Sequence, residues 1–240
     1  MESRYRSKLT RDVRALLDRI EFETQHEVGV ELNPDPSAPD SFNPEHLAVR
    51  VNEHSATILI RSDGVFPESG ALHELLHIER FWLQGTPQLE LDSPWTPGQS
   101  EIANALEHLV IVPRQRYYSC DDPSYWVDQM RNIWTSRWPA LLTGRVDQDT
   151  IRIRAMLGWT TTVHLAPASD IVKTARDALR QSGHLTEAER FREAIVTALP
   201  RTERMAAVAC DFFGIPLATC RLAYLNAIAG VRTEKRLSDL

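Results

Sequence analysis

The stretch PESGALHELLHIERFWLQG, residues 67–85, carries the clearest structural and chemical signal in this chain. Its first residue is Pro67, and proline is favoured in the first turn of a helix. Leucine and isoleucine then recur at helical spacing, which is the pattern of a helix with a buried face. We therefore predict a buried helix that begins near Pro67 and ends at about Gly85.

Within this helix, residues 73–77 have the sequence HELLH. Side chains four positions apart lie on the same helix face, so His73 and His77 can bind one metal ion, and neutral imidazole nitrogens suit zinc. Glu74 stands about 100° further round the helix, where it can reach a water on the metal without binding the metal itself. That is the position of a general base. The pattern predicts zinc ligation by the two histidines and catalysis by Glu74.

A catalytic zinc ion usually has three protein ligands and one position left for water, so a third ligand is needed. The next predicted helix, SEIANALEHLVIVP at 100–113, offers three candidates: Glu101, Glu107 and His108. We favour Glu107, which lies in mid-helix, and keep His108 and Glu101 as alternatives. Asn104 is a candidate for holding a ligand histidine through its second ring nitrogen.

The residues before the HELLH helix predict a helix followed by a small sheet. Residues 7–25 have apolar side chains at helical spacing, and VGVEL at 28–32 is typical of a strand. A loop rich in proline and aspartate occupies 33–46, and two further strands at 47–52 and 55–61 form a predicted hairpin.

After residue 113 the chain is predicted to be helical throughout. The predicted helices cover 123–137, about 147–158, 169–182, 186–199, 202–213 and 217–229. The expected fold class is α+β, with a small antiparallel or mixed sheet beside the HELLH helix (a zincin core) and a mostly helical C-terminal half. We assign 1–113 to a zincin-like metallopeptidase core and 114–240 to a helical region that packs on the same core or beside it.

Composition and charge limit the classes of function. The chain has 240 residues and a formal net charge of −6, which argues against broad electrostatic capture of nucleic acid. No run approaches eighteen consecutive apolar residues, and no apolar stretch follows the charged N-terminus, so we expect neither a membrane span nor a secretory signal. We expect a cytoplasmic protein whose three cysteines, Cys120, Cys210 and Cys220, are reduced.

The segment MAAVACDFFGIPLATCRLAYL at 205–225 has the form of two helices joined by a turn at Gly214. Such a helix-turn-helix is a DNA-binding pattern. Because the surrounding residues are strongly apolar, we interpret the segment as two packed core helices and expect no specific DNA binding.

The HELLH helix followed by EIANALEHLVIVP resembles the ImmA/IrrE-type zinc metallopeptidases over residues 7–113. The matching positions in the second segment are Ala103, Asn104, Leu106, Val110, Ile111, Val112 and Pro113. The resemblance implies zinc binding by His73 and His77 and activation of water by Glu74. Ser100 stands where the family usually has its third ligand, a glutamate, and Glu101 follows one residue later.

A metallopeptidase also needs a group that stabilises the oxyanion opposite the metal. The segment just past the third-ligand helix offers Tyr117 and Tyr118, and also Arg114 and Arg116, and His164 is a more distant candidate.

We therefore expect a zinc-dependent endopeptidase in which metal-activated water attacks the peptide bond and Glu74 is the general base. By resemblance, the substrate is a specific intracellular protein of a regulatory, stress or phage-defence type. The alternative is a non-proteolytic zinc protein that acts as a partner- or DNA-binding module, with four protein ligands closing the site.

Overall fold

The computed structural model of the chain describes residues 1–33, 47–62, 65–92, 96–120 and 123–240. Apart from Asn33, the predicted loop at 33–46 lies outside the described residues. Contacts divide the chain into two compact units. The first comprises Met1–Gln88, Arg114–Asp121 and Ala223–Glu234, and the second comprises Leu89–Pro113, Asp122–Leu222 and Lys235–Leu240.

The first unit contains the predicted sheet. Strand β3 (Ala56–Ile60) lies in the centre, parallel to β1 (Val28–Leu32) and antiparallel to β2 (Ala48–Val51). Alternate β3 side chains, beginning with Ala56, are buried, as expected for a strand with one covered face. The β2–β3 turn is held by Asn52, whose Oδ1 accepts 2.8 Å hydrogen bonds from the two backbone amides that precede β3. The predicted hairpin and the mixed sheet are confirmed.

Three helices accompany this sheet: α1 (Ser3–Arg6), α2 (Arg11–Thr24) and α3 (Glu68–Trp82). The apolar face of α2 is fully buried, and α2 packs against α3. Helix α3 begins directly after Pro67, as predicted. It ends before Gly85, whose φ of +63° is a left-handed conformation that glycine adopts without strain.

The second unit is mainly helical. After α4 (Ser100–Gln115), whose last two residues belong to the first unit, the chain forms helices and one π-helical turn, Ile133–Arg137. The α-helices are α5 (Pro123–Asn132), α6 (Trp138–Thr143), α7 (Gln148–Leu165), α8 (Ile171–Gln181), α9 (Leu185–Ala198) and α10 (Thr202–Phe212). In particular, α7 packs against α8 and α9, and α9 packs against α10. Phe191 of α9 is fully buried and contacts Phe212 at a ring-centroid distance of 5.2 Å.

Helix α4 does not stop at Pro113, contrary to the sequence prediction, but continues to Gln115. Proline has no N–H, so it cannot donate to the carbonyl of Leu109, four residues earlier. A side chain replaces that donor, because Nε2 of His164 lies 3.0 Å from the oxygen of Leu109. The helix can therefore pass through the proline.

The predicted helix at 217–229 is wrong. The segment forms a short 3₁₀ turn, Leu217–Thr219, followed by strand β5 (Cys220–Asn226), and β6 (Val231–Arg236) comes next. Cys220, Leu222 and Leu225 are buried with exposed or half-buried residues among them, so tertiary packing selects a strand here. Because no second helix follows α10 in this segment, the helix-turn-helix interpretation is also wrong, and with it the prediction that 205–225 is a pair of core helices.

Between α3 and α4 the chain forms a strand that was not predicted from the sequence, β4 (Gln88–Leu91). It belongs to a second sheet with the order β4–β5–β6. The helices in the described part of the chain are all too short or too polar to cross a membrane.

Candidate metal centre

Helix α3 places the two histidines of HELLH on one face. The ring centroids of His73 and His77 are 5.0 Å apart, in an edge-to-face arrangement. His77 is buried and stacks on Phe81, one turn further along the helix, at 6.0 Å. His73 is half-buried. The four-residue spacing therefore produces the convergence that the sequence predicted.

Glu74 is buried next to these histidines, with 6% of its surface exposed. Burial without a compensating charge disfavours the carboxylate and raises the pKa of Glu74 to about 8. A carboxyl group with this pKa can exchange a proton near neutral pH, as a general acid and base must. A divalent cation held by the neighbouring histidines would favour the ionised form.

The far end of α3 carries an ionic network around Glu79, whose side chain is only 3% exposed. Arg19 of α2 pairs with one carboxylate oxygen, and Nη2 of Arg114 pairs with the other at 2.5 Å. Glu79 lies two residues beyond His77, so the network holds the part of α3 that carries the histidines. The sequence analysis gave Glu79 no role.

Gln115, the last residue of α4, is a second residue that the sequence analysis missed. Its Oε1 lies 3.0 Å from Nδ1 of His73. Groups that contact the second ring nitrogen of a ligand histidine orient the ring for metal binding. The residue predicted for this task, Asn104, has an exposed side chain. Only the position of Gln115, two residues after the expected helix end at Pro113, could have drawn attention to it.

The three candidates for the third ligand have different surroundings within the second unit. Nε and Nη2 of Arg154 bind one oxygen of Glu101, at 2.8 and 2.5 Å. Glu107 is buried, and the hydroxyl of Thr202 donates to its Oε1 at 3.4 Å.

His108 is half-buried, and its ring contacts the ring of Trp126 edge-to-face at 5.2 Å. An imidazole placed against an aromatic ring has a restricted orientation, as a ligand histidine needs. His108 was an alternative to Glu107 in the sequence prediction.

The oxyanion candidates are placed differently from one another. Tyr117 is 86% exposed, so little of the surrounding protein covers its side chain. Tyr118 is half-buried, and burial followed by the charge of Glu79 raises the pKa of its hydroxyl. His164 contacts the Leu109 carbonyl through Nε2, which gives that nitrogen a structural role in α4.

Comparison of the chain with protein-family models, with curated proteins and with solved structures finds no match. The resemblance to the ImmA/IrrE-type metallopeptidases remains a prediction from the two sequence segments that carry it.

Proposed function

We propose that this chain is a zinc-dependent endopeptidase. The observation that carries the proposal is the arrangement on α3, where His73 and His77 share one face and the carboxyl group of Glu74 is buried beside them. Without a buried acid, two convergent imidazoles would suit a structural metal site as well as a catalytic one. A buried carboxyl group whose pKa is raised to about 8 is a feature of catalytic sites.

His108 is the proposed third ligand, in preference to Glu107. Residues seven positions apart in an α-helix lie nearly two turns apart on the same face, so His108 and Gln115 share a face of α4. Gln115 contacts His73 from this face of α4. Glu107 is turned about 100° away from His108 and is hydrogen-bonded to Thr202. Glu101 shares the face of His108, but Arg154 neutralises its charge.

The donor set fits zinc. The proposed ligands His73, His77 and His108 are all imidazole side chains. Three neutral imidazoles and a position for water are a known ligand set of catalytic zinc, and imidazole is a preferred ligand for this metal. Three histidines instead of two histidines and a glutamate would leave the full positive charge of the ion at the site.

Bound zinc would supply a Lewis acid that polarises the carbonyl group and acidifies water. Within the chain, Glu74 accepts the proton of the attacking water and later delivers it to the leaving amine. Its burial keeps competing solvent away from the carboxyl group. Tyr118, the oxyanion candidate with a half-buried side chain, would donate a hydrogen bond to the developing negative charge.

The proposed substrate is a peptide bond in a specific intracellular protein, and the proposed location is the cytoplasm. Both follow from the resemblance of residues 7–113 to the ImmA/IrrE-type metallopeptidases.

Cleavage of the intact proteins of a cell extract, followed by mass spectrometry of the new peptide termini, tests the activity. The parent chain loaded with zinc is compared with Glu74→Gln and with Glu23→Gln, which makes the same change at an exposed position of α2. We expect cleavage by the parent and by Glu23→Gln, and a decrease of at least about 100-fold for Glu74→Gln. Equal cleavage by Glu74→Gln would exclude this residue as the base. Zinc binding without cleavage of any protein would favour the non-proteolytic alternative and contradict the proposal.

A further inference from the structure

The amide group of Gln115, in α4, contacts both the side chain of His73 and the main chain of α3, the helix that carries His73. Gln115 is 4% exposed, its Oε1 lies 3.0 Å from Nδ1 of His73, and its Nε2 lies 3.4 Å from the carbonyl oxygen of Ser69. Ser69 precedes His73 by one turn of α3, so one buried side chain from α4 contacts two consecutive turns.

The chemistry of these two contacts determines the orientation of the amide. A carbonyl oxygen only accepts hydrogen bonds, so the group that faces the oxygen of Ser69 must be the NH₂ of Gln115. The amide oxygen must then face His73. An oxygen also only accepts, so Nδ1 of His73 must carry the proton. In a neutral imidazole this leaves the lone pair on Nε2, the other ring nitrogen.

We infer that Gln115 is a positioning residue that holds His73 in the tautomer protonated at Nδ1, so that Nε2 is the metal-binding atom. The inference rests on the proposed function, in which His73 is a zinc ligand. Free imidazole side chains exist as a mixture of tautomers, and ligand binding then requires selection of one of them. Gln115 makes that selection before the metal arrives, and it fixes the plane of the ring.

The neighbouring residue strengthens this arrangement. Arg114 pairs with Glu79 at 2.5 Å, so consecutive residues of α4 contact α3 on both sides of His77 in the chain. The ion pair of Arg114 with Glu79 therefore holds the end of α4 from which the Gln115 side chain extends. Loss of the amide should leave the backbone in place and release only the imidazole.

Nitrogen NMR of the metal-free chain, at a pH where His73 is neutral, measures the tautomer directly. We expect the parent to show His73 protonated at Nδ1. We expect Gln115→Leu, which keeps the size of the side chain but cannot accept a hydrogen bond, to shift His73 towards a mixture. Gln115→Glu keeps the acceptor and should preserve the Nδ1–H tautomer. A parent spectrum with His73 protonated mainly at Nε2 would overturn the inference, whether or not the chain binds zinc.

Zinc affinity, measured by competition with a chelator, is the second readout. We expect Gln115→Leu to bind zinc about 10–100-fold more weakly than the parent, and Gln115→Glu to stay close to the parent. Gln84→Leu makes the same change at an exposed position just after α3 and should have no effect. Equal affinity of Gln115→Leu and the parent would overturn the inference. A parent chain that binds no zinc would refute the proposed function instead, and the tautomer experiment would still stand.

Discussion

His164 supplies the hydrogen bond that Pro113 cannot make. Its Nε2 lies 3.0 Å from the oxygen of Leu109, the carbonyl that an amide at position 113 would normally serve. A proline inside a helix costs about 3 kcal/mol or more, because it removes this hydrogen bond and its ring crowds the same carbonyl group. The imidazole from α7 provides a replacement donor, and α4 continues past the proline to the two residues that contact α3.

A double-mutant cycle tests this relationship. We expect His164→Ala to lower the free energy of unfolding by about 1–3 kcal/mol, because Leu109 loses its donor. In a Pro113→Ala background the restored amide can serve Leu109, so the same His164→Ala change should cost much less. Urea unfolding of the four variants measures both effects. Equal costs of His164→Ala in the two backgrounds would show that the imidazole does not compensate for the proline.

The ionic network around Glu79 predicts that the substitution Glu79→Gln lowers the free energy of unfolding. Glu79→Gln removes a buried negative charge that pairs with Arg19 and Arg114. We expect a loss of about 1–3 kcal/mol in the free energy of unfolding, because the neutral amide loses charge-assisted hydrogen bonds while both arginines keep contact with solvent.

The matched control for this change is Asp177→Asn. It breaks an exposed pair with Arg180, in which Oδ1 of Asp177 is 2.9 Å from Nη1, and it should cost less than about 1 kcal/mol. If Glu79→Gln cost no more than the control in urea unfolding, the network would not stabilise α3.

Asp12 predicts a pH-dependent contribution to stability. The backbone amide of Ser119 donates to its carboxylate at 3.0 Å, and the hydroxyl of Thr10 donates at 2.6 Å. These bonds lower the pKa of Asp12 well below its usual value. A carboxyl group whose pKa is lower in the folded chain than in the unfolded chain stabilises the folded chain at every pH above its unfolded-chain pKa of about 3.9. This stabilisation is lost as the pH falls through the pKa that the group has in the folded chain.

We therefore expect Asp12→Asn to be less stable than the parent at neutral pH, and the difference to decrease as the pH falls below about 4. Unfolding by urea across this pH range measures it. Asp18→Asn, which removes an exposed carboxylate from the same helix, is the control. A difference between Asp12→Asn and the parent that does not change with pH would contradict the assignment.

Cys210 and Cys220 form a buried pair of thiols with their sulfur atoms 3.6 Å apart. Burial, and then the neighbouring Cys220, raise the pKa of Cys210. The thiolate is the reactive form, so we expect iodoacetamide to modify this pair slowly in the native chain and quickly in concentrated guanidinium chloride. Mass spectrometry of peptides identifies the modified residues. Rapid native alkylation at Cys210 would contradict the burial of the pair.

The sequence predicted the parts of the fold that local patterns determine. Residues 67–85 contain their own start signal, apolar face and terminating glycine, and α3 forms where expected. The β2–β3 hairpin likewise depends on alternation and on a short turn. The predicted convergence of His73 and His77 needed nothing beyond helix geometry.

The sequence predictions were wrong where residues far away in the chain determine the local structure. Pro113 is a local stop signal, and only His164, far along the chain, makes it harmless. The segment after Pro216 has apolar residues compatible with either helix or strand, and packing selects β5. Gln115 was not predicted as a site residue, because its hydrogen bond to the distant His73 produces no recognisable pattern in the sequence around Gln115.

The most direct test of the central claim is the zinc content of the purified chain after addition of zinc and removal of the excess. We predict about one zinc ion per chain in the parent, in Glu107→Gln and in Glu101→Gln, and a strong loss in His73→Ala, His77→Ala and His108→Ala. Each variant is first checked for folding by circular dichroism. Retention of zinc by His77→Ala, or a parent that binds none, would contradict the metal centre. Loss of zinc in Glu107→Gln with retention in His108→Ala would replace His108 with Glu107 as the third ligand.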